Sequence, residues 1–225
     1  MGIRLNLIVE GQTEEVFVNR VLAPHLGAYS VWASARCVMT KRTAHAKHSG
    51  GIPNYAKAKN DILNWLREDQ NTDARFTSMF DLYGLPNDFP GYEDAMRLND
   101  AYDRTMRLED ALRDDIADSR FIPYIQLHEF EAVLLSDPEK FNVHFLNDDA
   151  SIRKLTQLVS AYESPELINM GTETSPSKRV IKEIPRYEKQ KPLAGPRVAE
   201  AIGLPTIRDK CKHFAQWLDV LEALA

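Results

Sequence analysis

Residues 3–9 run Ile-Arg-Leu-Asn-Leu-Ile-Val and close at Glu10-Gly11-Gln12, the pattern of a short buried strand that ends in a tight turn. Thr13, Glu14 and Glu15 read as a helix start, Val16, Phe17, Val21 and Leu22 fall at helical spacing, and Pro24 and Gly27 mark the end. A second strand is expected over 29–39, where Val31, Ala33, Ala35 and Cys37 alternate, followed by a His-, Lys- and Gly-rich loop over 40–54. Tyr55, Ala58, Ile62, Leu63 and Leu66 predict a helix over 55–68, and 75–83 reads as a third strand carrying Asp81. The stretch 84–91 is too rich in Gly and Pro to be regular. A long acidic helix over 92–118 and a fourth strand over 120–127 follow, the strand running straight into His128-Glu129-Phe130-Glu131.

Strands that alternate with helices predict an α/β fold: a mostly parallel four-stranded central sheet flanked by helices, with right-handed crossovers and the working crevice at the carboxyl ends of the strands. After Ser136 the pattern becomes short helices separated by Pro138, Pro165, Pro176, Pro185, Pro192, Pro196 and Pro205, with no strand. This divides the chain into an α/β catalytic core over 1–136 and a C-terminal helical cap over 137–225, packed on the core. Phe214, Trp217, Leu218 and Leu221 share one face of the last helix and are read as packing rather than as a cofactor box.

With 225 residues, 44% of them hydrophobic and 27% charged, the chain has the composition of a globular domain with a substantial core. The apolar run at the start is too short for a signal peptide or a membrane span, so a cytoplasmic protein with no membrane partner is expected. Cys37 and Cys211 cannot frame a disulfide scaffold or a cysteine zinc site and are expected to be small buried hydrophobes. The net charge of −5 speaks against nucleic acid only if it is evenly spread, and it is not. Residues 16–60 hold seven Lys and Arg and no acid, 61–118 hold fifteen acids against six Arg, and 176–197 hold seven Lys and Arg against two Glu. Two basic segments around an acidic centre suit a metal site that works on phosphodiesters; three solvated faces would look the same.

Position sharpens the first reading. Glu10 follows the first strand, Asp81 ends the third, and Glu129 and Glu131 lie just past the fourth, so all four fall on one edge of a parallel sheet. Glu14 lies a turn into the following helix, and Asp88 is in the loop after Asp81. Hard oxygen ligands of this kind suit Mg2+ or Mn2+. Singly, Glu14 can be a helix N-terminal charge, Glu131 an exposed helix charge and Asp88 turn chemistry. Neither Gly-rich nucleotide signature is present. Lys41, Arg42 and Lys47, with His45 and His48 beside them, make the 40–54 loop a candidate for phosphate contact, and His128 is the histidine nearest the acids.

Val-Glu-Gly-Gln-Thr-Glu-Glu at 9–15 resembles the opening motif of Toprim domains in overcoming-lysogenization-defect (OLD) nucleases. Met-Phe-Asp-Leu-Tyr-Gly-Leu-Pro-Asn-Asp-Phe-Pro-Gly at 79–91, Gln-Leu-His-Glu-Phe-Glu-Ala at 126–132, Pro-Ser-Lys-Arg at 176–179 and Cys-Lys-His-Phe-Ala-Gln-Trp-Leu at 211–218 resemble the prokaryotic domain-of-unknown-function family 4276. The resemblance implies a Toprim-like fold and Mg2+-dependent cleavage of nucleic acid, with an ATP-binding-cassette-type ATPase as partner in a phage-defence module. By the same resemblance Glu10 matches the Toprim glutamate, a metal ligand or general acid/base. Asp81 matches the first acid of the Asp-x-Asp pair, and Glu14 the extra nuclease-type acid. Lys178 matches the lysine set against charge developing on phosphate, work that Arg179 could share. The second acid of the pair is replaced by Tyr83, so Asp88 or the Glu129 and Glu131 pair must compensate.

The expectation is a metal-dependent endonuclease; the alternative is a catalytically degenerate adaptor that binds a partner ATPase or nucleic acid without cutting. A nucleotide or tRNA substrate is equally compatible with this chemistry, and homo-oligomer formation stays open.

Overall fold

The computed structural model describes residues 2–38, 52, 54–168 and 174–225. Strand β1 (Ile3–Val9) is flanked by β2 (Val31–Cys37) and β3 (Ala74–Asp81), and β3 carries β4 (Phe121–Ile122) and β5 (Ile125–Gln126) on its outer side. Every pairing is parallel, in the order β2-β1-β3-β4. The chain travels outward from β1 to β2 and then returns past β1 to build β3. The carboxyl ends of β1 and β3 therefore flank the point where the direction of winding reverses, the place where parallel sheets open a crevice.

Successive β1 side chains serve two cores, which is why the strand reads as an almost unbroken apolar run. Leu5, Leu7 and Val9 join one core with the helices after Ser136, including Phe141, Leu155, Val180, Val198, Phe214 and Leu221. Ile8 faces the other core with α3 (Tyr55–Glu68) and α5 (Ala101–Ile116), through Ile62, Leu66, Leu108 and Leu112. The first crossover is α1 (Gln12–Phe17), a wide π turn over Val18–Leu22, and α2 (Ala23–Gly27). Pro24 lies inside this run, just after the wide turn, rather than ending it.

Three sequence expectations change in detail. The acidic helix is two helices, α4 (Tyr92–Met96) and α5, because Asp100 restarts the chain as an N-cap, its side chain accepting the Asp103 N–H at 2.9 Å. The fourth strand is split at Pro123, which has no N–H to give to the ladder. Finally, the prolines after Ser136 mostly begin elements rather than divide them. After α6 (Glu131–Leu134), α7 (Asp149–Val159) is preceded by a 3-10 segment opened by Pro138. Pro176 opens α8 (Pro176–Glu183), while Pro192 lies in the first turn of α9 (Lys191–Ile202) and Pro196 in its interior. The chain ends in α10 (Leu204–Lys210) and α11 (Lys212–Glu222). Cys211 is buried, 3.3 Å from the Ser136 hydroxyl, whereas Cys37 is only half-buried. Among the described residues no helix is long and apolar enough to cross a membrane.

Candidate active site

The parallel register sets Val9 beside Met79, so the residues just beyond, Glu10 and Asp81, meet at the reversal point. Glu10 Oε2 accepts the backbone N–H of Asp81 at 3.2 Å. Gly84 lies against the same carboxyl, and a Cβ there would stand 2.8 Å from Glu10 Oε1, closer than carbon and oxygen can pack. Asp81 Oδ1 is buried and has no hydrogen-bond partner. Burial, with the charges of Glu10, Glu14, Glu131 and Glu129, pushes the Asp81 carboxyl well above the usual range. Burial and Glu14 push Glu10 up to about 8, against the opposing effect of the Asp81 N–H, with smaller contributions from Glu129 and Glu131.

Glu14, in the first turn of α1, is buried among these groups. Burial raises it to about 7, even though its own N–H, and that of Gly11, favour the ionised form. The remaining two acids follow His128, whose φ of 62° is the left-handed conformation that a non-glycine residue rarely adopts. Glu129 accepts the Ser177 N–H at 2.8 Å, in the first turn of α8. Glu131 is buried and doubly held at Oε1, by the Tyr187 hydroxyl at 3.1 Å and the Lys191 ammonium at 2.9 Å.

Lys191 is the member of this cluster that the sequence does not single out. It opens α9, and its positive charge is favoured by Glu131, Glu129 and Asp81 against the cost of burial. Nothing in the sequence separates it from the other six basic residues of 176–197. It reaches the acids because α9 packs on α1 through Gly195, where a Cβ would stand 3.0 Å from Thr13 Cγ2 and 3.3 Å from Phe130 Cε1.

Glu10, Glu14, Asp81, Glu129 and Glu131 are thus brought into one electrostatic unit. Asp88 has a different partner: its two oxygens accept the Tyr55 N–H at 3.1 and 3.3 Å, at the start of α3. Lys178 is exposed on α8, one residue past Ser177. Arg179 is engaged with the Thr174 carbonyl at 2.8 Å and the Tyr162 hydroxyl at 3.2 Å. Lys41, Arg42, Lys47, His45 and His48 lie outside the described residues. His128 is buried, and burial and Arg104 lower it to about 4, so its imidazole is neutral near pH 7.

The group has the donor chemistry for a divalent cation: hard oxygens, one of them buried and unbonded, with more negative charge than Lys191 balances. It is not a closed cage, since among the described residues no three His, Cys, Asp or Glu side chains converge as a ready-made metal site.

The molecule is thus a parallel α/β protein with a carboxylate cluster at the point of winding reversal. Residues 9–222 match the family described as Domain of unknown function (DUF4276), and the chain belongs to that family. A solved structure, the C-terminal region of the Burkholderia pseudomallei OLD protein, aligns over 100% of both chains at 16% identity with a TM-score of 0.46. None of the curated proteins matches the chain.

Proposed function

We propose that this protein is a Mg2+- or Mn2+-dependent nuclease that hydrolyses phosphodiester bonds of nucleic acid. The observation that carries the reading is the buried, unbonded Asp81 Oδ1 beside Glu10 and Glu14, at the reversal point of a parallel sheet. The likeness of the 9–15 segment to the Toprim motif of OLD nucleases agrees with it. Glu10, Asp81 and Glu14 would hold the ion. Glu129 is partly committed to the Ser177 N–H and Glu131 to Lys191 and Tyr187, so these two position α8 and α9 as much as they offer ligands.

When bound, the ion supplies electrophilic activation of the phosphodiester and of the attacking water. The Lys191 ammonium, held by Glu131 within the charge field of Asp81, would donate to a non-bridging phosphate oxygen as charge develops there. Lys178, exposed next to Ser177, would contact the backbone further along the strand. A role as effector of a phage-defence module, with an ATP-binding-cassette-type ATPase as partner, is part of the same proposal.

Purified protein is expected to cut at least one of supercoiled plasmid, linear duplex, single strands and tRNA with Mg2+ or Mn2+, and to be silenced by EDTA, Glu10→Gln and Asp81→Asn. Lys191→Ala should cost more activity than Lys178→Ala. Tyr83 in the place of a second acid, with no ready-made metal cage among the described residues, favours one other reading, the degenerate adaptor. Substrate binding with no cutting under any of these conditions, and no effect of Asp81→Asn, would establish the adaptor instead.

A further inference from the structure

We propose that Tyr83 is a stacking platform for an unpaired nucleobase beside the scissile phosphate, so that the substrate is single-stranded where it is cut. The proposal rests on the nuclease reading and names the substrate class of that site.

Tyr83 keeps 37% of its surface exposed, although Leu82 and Leu85 on either side of the same turn are buried. Its ring is held in one orientation: the His128 imidazole is stacked against it at 5.3 Å and 27°, and the Tyr83 N–H donates to the His128 carbonyl at 3.1 Å. His128 is itself 3% exposed and maintained at the positive φ that places it there. Strain of this kind persists only where the surroundings enforce it, and it tends to accompany ligand clamps. One side of the phenol is therefore backed by a buried ring while 37% of the residue stays exposed.

The platform is tied to the carboxylates through the chain. Tyr83 is two residues past Asp81 and one before Gly84, where a Cβ would stand 2.8 Å from Glu10 Oε1. A base on Tyr83 would belong to the nucleotide next to the phosphate at Asp81. Arg104 acts electrostatically on both Tyr83 and His128. One of its nitrogens donates to the Leu98 carbonyl at 2.8 Å, while Nε is buried without a partner. An aromatic face within the field of a cation suits single strands, because every base has a π face and every linkage a negative charge. A base inside a duplex has both faces covered and would first have to be flipped out.

The test is equilibrium binding by fluorescence anisotropy, with Ca2+ in place of Mg2+ to hold cleavage back. The probes are a short labelled DNA strand, its RNA counterpart, the duplex, and a strand with abasic sites. Wild type should bind single strands more tightly than duplex, and Tyr83→Ala should lose roughly 5- to 100-fold on intact strands. Tyr83→Phe, which keeps the ring, should stay near wild type, and on the abasic strand wild type and Tyr83→Ala should be equal. Equal binding of intact strands by Tyr83→Ala and wild type, an equal loss on the abasic strand, or a preference for duplex would overturn the platform. If wild type cuts nucleic acid but shows one of these results, the platform alone fails. If wild type binds none of the probes and cuts nothing, the nuclease reading fails with it.

Discussion

Glu10, Glu14 and Asp81 hold carboxyl groups where ionisation is costly, and that cost is measurable. At about pH 9, where Glu10 is driven to ionise, Glu10→Gln removes a like charge from the cluster and should stabilise the metal-free protein by about 1 kcal/mol. For a chain of this size that is an increase of roughly 2–4 °C in melting temperature, read by differential scanning calorimetry, with cleavage lost at the same time. A drop in melting temperature would mean that the carboxylates are held by contacts, not opposed by repulsion. The same groups set a pH dependence. Glu10 at about 8 and Glu14 at about 7 bind protons more tightly folded than unfolded, where both sit near 4.5. Their stabilising contribution is therefore complete below that value and disappears as pH rises through 7 and 8. EDTA-treated protein should melt lower at about pH 9 than at about pH 6, and the double variant Glu10→Gln/Glu14→Gln should flatten the slope. Gly84→Ala separates site from fold, because its Cβ meets the movable end of the Glu10 side chain. Calorimetry should show stability within about 1 kcal/mol of wild type, and titration should show lost metal affinity.

The contact between helices α1 and α9 decides which cation joins the acids. Gly195 lets the two approach, and Lys191 lies four residues earlier, at the N-terminus of α9. Gly195→Val would push α9 away from Thr13 of α1 and from Phe130, costing about 1–3 kcal/mol in a core that cannot absorb the volume. Since the same shift withdraws Lys191 from Glu131, activity should fall further than the melting temperature explains; Lys191→Arg, with Gly195 intact, should keep part of it. Of these elements, much was legible locally. The strand over 3–9, the helix over 55–68 and the last amphipathic helix follow from period and turn residues, and the structure reproduces them closely. The division of the 92–118 helix at Asp100 was missed because cap chemistry inside a charged run resembles its surroundings. The split at Pro123 was legible in principle from the missing N–H.

At the scale of the molecule, the helices after Ser136 do more than cover the sheet, because Leu5, Leu7 and Val9 of β1 share their core. A fragment ending at residue 136 would leave those side chains and Phe17 facing water. It is expected to lack a cooperative melting transition and to be digested readily in limited proteolysis, whereas the full chain resists. A fragment that melts cooperatively would show that the α/β half is self-sufficient. The same packing brings α8 and α9 to the carboxyl ends of the strands, so the candidate site is assembled from both halves of the chain: Glu10, Glu14, Asp81, Glu129 and Glu131 from one, Ser177, Tyr187 and Lys191 from the other.

Element order, the parallel sheet and the strand-end positions of Glu10 and Asp81 were readable from residues alone, because hydrophobic period and turn chemistry act over a few neighbours. The pairing of Lys191 rather than Lys178 with the acids, the tie of Asp88 to α3, and the exposed Tyr83 backed by a strained His128 came only with the tertiary structure. Each depends on which distant segments pack together, and lysines, aspartates and aromatics look alike in sequence until packing decides which are buried and what they face.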